Sequence, residues 1–271
     1  MNTGWLLVLL AMRVISLAPN LTELVLWLGA RDALVGVTRH DPFPAVENLP
    51  RVGGFARPDW ERVLQLHPDR MLLTATQLPL FRRDLERLHL PYRALPFTRL
   101  HDVEAALDSL ADWLQRPEAR RRLQPLLDSL RTHPPDLRGQ RVVWIIGRSP
   151  GQLTGLYAAG RHTFHADLIR WAGGQPFDAF EGYHPVDLET LIRWKPAWIL
   201  ELGPRGLAPA DWASLRDVLP AVRDHHVYRL PPDPFARPGL CAWLLFQRFL
   251  EQREDTAWTF APCPPPEPTD R

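Results

Sequence analysis

The sequence predicts an α/β protein built as two Rossmann-like lobes with parallel sheets, joined by a single long bridging α-helix. Three observations carry the prediction. Strand-like and helix-like runs alternate along the chain, the second half repeats segments of the first, and the stretch between the halves shows helical periodicity alone. Val14 to Leu17 is a short β-rich run, after which Leu21, Leu24, Val25 and Leu28 follow helical spacing. Asn20 reads as the cap of that helix, with Glu23 three residues on completing a capping box and Gly29 ending it. Val35 to Val37 reads as a second strand, Thr38 to Pro44 as a loop, Asp59 to Leu66 as a helix and Met71 to Leu73 as a third strand.

The repeat is visible in two places. Pro58-Asp-Trp-Glu61 through Pro68 matches Val186-Asp-Leu-Glu189 through Pro196, with seven residues from Glu to Pro in both. Glu23, Trp27 and Gly29 match Asp167, Trp171 and Gly173 at equal spacing. Two matches in the same order imply two lobes of one plan. Between them, Leu107, Leu110, Trp113 and Leu114, then Leu123, Leu126, Leu127 and Leu130, mark a helical connector. Pro117 suits the first position of the bridging helix, Glu118 to Arg131, about 21 Å long at 1.5 Å per residue. Pro125 predicts a kink or a later start, because an internal proline loses a hydrogen bond and crowds the turn before it. Pro134-Pro135 stops the helix, and Val142 to Ile146 starts the second lobe. The domains are therefore expected at 13–100, 101–135 for the connector and 136–260, with 261–271 a disordered Pro-rich tail.

The 271 residues suit about two domains. With 45% hydrophobic residues, 11 Trp and 11 Phe the chain can bury a sizeable core, which excludes collagen-like and wholly disordered readings. The 32 basic and 31 acidic residues leave a net charge of +1, which removes the electrostatic case for a nucleic-acid partner. Cys241 lies in an apolar run and Cys263 in the tail, so no disulfide framework is expected. The apolar stretch before Met12 has no Lys or Arg ahead of it and makes a poor signal peptide. Two readings stay open there: a start at Met12, or an export signal imperfectly represented.

Ligands of open α/β sheets bind beyond the carboxyl ends of the strands. That rule selects Pro19-Asn20, Arg39-His40-Asp41, Phe55 and Thr74 to Gln77 from the first lobe. From the second it selects Tyr157, Arg161-His162, Tyr183-His184 and Asp233 to Arg237. Flat aromatics such as Phe55 and Tyr183 suit a wide, partly apolar disc, and a few polar side chains fix its orientation. Loop packing is the plain alternative for both rings, and mutual pairing is the alternative for Asp233 and Arg237. No metal site is assigned outright. His40, His162 and His184 are the imidazoles able to take an axial position on a chelated metal, and His40, His184 and Asp233 form a conceivable bare-metal set.

The segments Arg13-Val-Ile-Ser-Leu-Ala-Pro-Asn-Leu-Thr-Glu-Leu, Leu34-Val-Gly-Val and Asp59-Trp-Glu-Arg-Val-Leu-Gln-Leu-His-Pro-Asp carry a family likeness. The chain resembles the cobalamin and ferric-siderophore binding proteins of ABC importers, class III periplasmic binding proteins, from residue 13 to about 255. The resemblance implies a metal chelate bound in a cleft between the lobes, a stiff helix limiting closure, no cofactor, a monomer, and delivery to an ABC permease dimer. It also implies a periplasmic or extracytoplasmic location, although the poor signal keeps a cytoplasmic one open. Aligned on Glu61 and Glu189, Phe55 and Tyr183 fall where cobalamin binders carry cleft aromatics. Asp233-Pro-Phe-Ala-Arg237 resembles their Asp, aromatic and Arg loop, but Pro234 replaces a Trp. A corrinoid is the first expectation, and a ferric siderophore or haem the next. Asn20, Arg39, His40, Tyr157, Arg161 and His184 complete the expected ligand contacts, while Glu61 and Glu189 are expected to dock on the permease.

No Walker phosphate loop, G-x-S-x-G elbow, C-x-x-C pair or H-E-x-x-H is present. The alternative from another class is an intracellular tetrapyrrole-handling enzyme or chaperone, chelatase-like, using a His and a Glu for proton and metal transfer.

Overall fold

The computed structural model describes residues 12–132, 134–203, 206–207, 210–252 and 263. The readings of the stretch before Met12 and of the tail fall outside these residues, Cys263 excepted. Two compact units are present. The first holds the chain up to Pro96 with Ala106–Arg121, and the second holds Phe97–Ala105 with Arg122–Cys263.

In the first unit the order is β1 (Val14–Ser16), α1 (Pro19–Trp27), β2 (Leu34–Gly36), a ribbon of β3 (Gly53–Gly54) and β4 (Arg57–Pro58), α2 (Trp60–Gln65), β5 (Arg70–Thr74), α3 (Leu78–Arg87) and β6 (Tyr92–Leu95). The connector consists of α4 (Leu100–Trp113) and α5 (Pro117–Thr132). The chain continues through β7 (Arg141–Gly147), β8 (Tyr157–Ala159), α6 (Phe164–Trp171), β9 (Gln175–Pro176), β10 (Tyr183–Pro185), α7 (Leu188–Trp194) and β11 (Trp198–Leu202). It closes with β12 (Gly206–Leu207), α8 (Pro220–Arg223), β13 (Val227–Leu230), α9 (Pro232–Phe235) and α10 (Leu240–Gln252).

The first sheet runs β2-β1-β5-β6, all parallel. Ile15, Leu17, Met71 and Leu73 pack with Val63, Phe81 and Leu85 on one face, while Val14 and Leu72 are fully buried as well. Such continuous apolar strands are what a sheet covered on both faces requires. The second sheet departs from the all-parallel expectation. Its centre, β7-β11-β13, is parallel, but β8, β10 and β12 join antiparallel. The reason is local: the short connection from Gly147 to Tyr157 folds straight back, whereas a parallel neighbour needs a crossover of a dozen or more residues.

The repeat survives in three dimensions. Trp27 and Trp171 are the last residues of α1 and α6, and in each case a glycine two residues on, Gly29 at φ 61° and Gly173 at φ 74°, takes the left-handed conformation that ends the helix. Asp59 caps α2 by accepting the Arg62 N–H at 3.0 Å, and Asp187 caps α7 by accepting the Thr190 N–H at 2.7 Å.

Three expectations are corrected. Asn20 does not cap α1: the cap is Ala18, Pro19 fills the first helical position, and Asn20 is buried as the second helical residue. The bridging helix starts at Pro117 as expected but runs on through Pro125. It is accompanied by α4, joined to it by Arg120–Asp108 at 2.5 Å and by Arg131–Glu104. The unit boundaries fall inside both helices. Finally, Cys241 and Cys263 form a disulfide, a bond characteristic of oxidising compartments. None of the described helices is long and apolar enough to cross a membrane.

Candidate functional site

In the first lobe three strand-end loops are tied together by one buried amide. Gln77 is fully buried. Its Nε2 donates to the carbonyls of Leu17 and Phe55, both at 2.8 Å, and its Oε1 accepts the Thr74 N–H at 2.8 Å. The ends of β1 and β5 therefore hold the tip of the ribbon, where the Phe55 ring is 44% exposed. Arg39 and His40 flank it. The Arg39 N–H donates to the Gly53 carbonyl at 2.8 Å, and a Cβ added to Gly54 would stand 3.9 Å from Arg39 Nε and from His40 Nε2. Both side chains are exposed.

Asp41 shapes the turn that presents them. Its Oδ2 accepts the Thr38 N–H at 2.8 Å and the Thr38 hydroxyl at 2.5 Å. Burial pushes the Asp41 carboxyl above its usual range against the lowering effect of hydrogen bonds from Thr22 and Thr38 and of the Arg51 charge. The sequence places Asp41 and Gln77 in the right loops but gives no sign of these holding roles. Asn20 is the second residue of α1 and is 6% exposed.

In the second lobe the register separates residues that the sequence groups together. Tyr183 pairs with Ala159, His184 with Ala158 and Pro185 with Tyr157. Successive residues of a strand face opposite sides, so Tyr183 shares a face with Tyr157 and His184 lies on the other, its ring 5.2 Å from Phe180. Tyr157 is 42% exposed. Tyr183 is half-buried, and its hydroxyl lies 2.9 Å from Nδ1 of buried His165. Burial raises the Tyr183 phenol above its usual range and lowers the His165 imidazole to about 4.

Arg161 and His162 both approach Glu181, at 3.8 and 3.6 Å, and His162 Nδ1 also lies 3.3 Å from Arg99. Arg99 grips Asp167 with two bonds of 2.7 and 2.9 Å. Burial alone would raise Asp167, but Arg99 and the Leu100 N–H hold it below the usual carboxylate range. Asp233 and Arg237 pair with each other. Pro234, where the resemblance leads one to expect Trp, is buried. Among the described residues no group of three or more His, Cys, Asp or Glu is placed to hold a metal ion.

Behind these loops, at the carboxyl ends of β7 and β11, buried Glu201 accepts from Arg148 at 2.9 Å, Arg229 at 2.9 Å and Trp212 at 3.0 Å. Arg148 also reaches Asp211 at 2.7 Å. This neutral network pins the segment after β7, a function the sequence did not disclose.

Glu61 and Glu189 occupy the first turns of α2 and α7, and both are exposed. Glu189 pairs with Arg193 at 2.7 Å, and Glu61 accepts from Gln65 at 3.5 Å.

Two α/β units of repeated plan carry polar and aromatic side chains at their strand ends. A periplasmic binding protein family profile matches residues 14–234, and the chain belongs to that family. Among curated relatives, a vitamin B12-binding protein of Vibrio vulnificus is 23% identical over 252 residues, covering 88% of this chain and 89% of its own. Another, of Yersinia pestis, is 27% identical over 201 residues, covering 71% and 70%. Among solved structures, the periplasmic vitamin B12 binding protein BtuF of Vibrio cholerae is similar with a TM-score of 0.71 at 23% identity, covering 90% of this chain and 98% of its own. The periplasmic haem binding protein HutB of the same organism gives 0.71 at 22%, covering 90% and 99%. These relatives are binding proteins, and the chain is one too; the chelatase-like enzyme alternative is set aside.

Proposed function

We propose that this protein is the extracytoplasmic substrate-binding component of an ABC importer, and that it captures a metal chelate at the strand-end loops of its lobes. A corrinoid is favoured, with haem or a ferric siderophore next. The observation that carries the reading is the Phe55 ring, left 44% exposed while its carbonyl is fixed by buried Gln77. An apolar face left in solvent on an anchored loop suits a flat ligand, since burying its exposed 44% contributes on the order of 1 kcal/mol. Arg39 and His40 beside it supply polar groups for the rim of such a disc. The Cys241–Cys263 disulfide supports an oxidising location.

Titrating the purified protein with cyanocobalamin, haemin and a ferric trihydroxamate, followed by Trp quenching and the visible band, tests the reading. At least one should bind below about 100 μM, or roughly −5.5 kcal/mol; binding by none removes it. Exposed Glu61 and Glu189, on equivalently capped helices, are assigned to docking on the permease. Reversing both to Lys should abolish stimulation of the transporter in vesicles while leaving ligand affinity within about twofold, because such charges act on encounter and orientation.

A further inference from the structure

His165, on α6, is not among the residues singled out by sequence or family. It is 2% exposed, between the Trp144 ring at 5.0 Å and the Tyr183 ring at 5.7 Å. Its Nε2 lies 2.8 Å from the carbonyl of Phe235, inside the Asp233 to Arg237 segment, and its Nδ1 lies 2.9 Å from the Tyr183 hydroxyl. A carbonyl can only accept, so Nε2 carries the proton and Nδ1 accepts from the phenol. Both ring nitrogens are thereby committed in a fixed sense. One end holds β10 and the other holds the segment before α10.

We propose that His165 is a positioning residue for ligand capture, joining Tyr183 and the Asp233–Arg237 segment into one unit so that two of the candidate contact groups of the second lobe are presented in a single arrangement. The ligand part of this inference rests on the reading above, and the joining itself does not. The alternative, that His165 merely fills the core, predicts that an apolar side chain of similar size serves as well. The hydrogen-bond pattern argues against it: the Tyr183 hydroxyl and the Phe235 carbonyl would each lose the bond that His165 supplies.

The test uses the full-length protein with His165→Leu, His165→Gln and Tyr183→Phe. Imidazole nitrogen NMR of the parent should show the Nε2–H tautomer, and Tyr183→Phe should shift the Nδ1 resonance while Nε2–H persists. Amide hydrogen exchange at Phe235, Ala236 and Arg237 should accelerate about tenfold or more in His165→Leu, with the amides of β7 unchanged. His165→Gln, which can still donate to the Phe235 carbonyl, should restore much of that protection. Whichever of cyanocobalamin, haemin or the ferric trihydroxamate binds the parent should bind His165→Leu about tenfold more weakly. An Nδ1–H tautomer, or unchanged exchange at Phe235 to Arg237, overturns the proposal, and if His165→Leu does not fold, the Gln variant and the tautomer decide it. Failure of all three probes to bind the parent counts against the chelate reading alone. Binding to parent and variant with equal affinity counts against His165 alone.

Discussion

Phe55 and Tyr183 stand six residues before Glu61 and Glu189 on the matching segments of the two lobes, yet they are held in different ways. Phe55 is fixed through its backbone carbonyl, which leaves the ring 44% exposed. Tyr183 is fixed through its own hydroxyl, which draws the ring half into the lobe. The helices that follow are alike to the level of the capping aspartate. A duplicated plan thus keeps the scaffold, where hydrogen-bonding geometry leaves few solutions, while the loops before it are anchored differently.

The comparison can be broken first at the disulfide, which ties α10 to Cys263 in the second lobe. Cys241→Ser should lower stability by about 3 kcal/mol in urea denaturation, the loop-closure value for a bond spanning 22 residues. Equal midpoints with and without reductant would show that the bond adds nothing.

An effect of similar upper size is expected from pH. His165 is held neutral in the fold, its pKa lowered from 6.5 to about 4, so between those values the unfolded chain binds the extra proton. Stability is then full above about pH 6.5 and falls as pH drops towards 4, by on the order of 3 kcal/mol at most. Asp167 also loses its contribution on acidification, but at lower pH, because its folded pKa is depressed below 3.8. In His165→Gln the slope between pH 6.5 and 4 should flatten, which calorimetry can measure.

The smallest effect is the sharpest test of equivalence. Asp59→Ala and Asp187→Ala should each lower stability slightly, as loss of a helix cap does, and the two urea midpoints should fall by the same amount if the caps do the same work. A clear inequality in urea titrations would mean that the repeat is one of sequence more than of energetics.

What was legible in the sequence follows the same division. Spacing between acid, Trp and Gly reported the helix ends, because a left-handed glycine after the last turn leaves a fixed signature. The start of α1 was misread: Asn20 looked like a cap, but Pro19 set the first turn, and the local polar contact passes instead from the Thr22 hydroxyl to Ser16 at 2.8 Å. The alternation that sends Tyr183 and His184 to opposite faces follows once β10 is recognised as a strand, but three residues ending in proline gave too short a pattern. The disulfide and His165 left no local trace, since each joins residues remote in sequence, and a lone histidine on a helix carries no spacing. The parallel core of the second sheet was readable from its apolar runs, whereas its antiparallel margins depend on where short turns fold back.

Gln77 spends both amide hydrogens and its oxygen on three separate stretches of main chain, so its replacement tolerates almost no chemistry. A glutamate of the same shape would aim a negative oxygen at two carbonyl groups, an asparagine would fall one methylene short, and a leucine would leave three polar atoms stranded. Drift at this one position would therefore unmoor the exposed Phe55 loop without altering any exposed residue, an injury that inspection of surface residues alone would overlook.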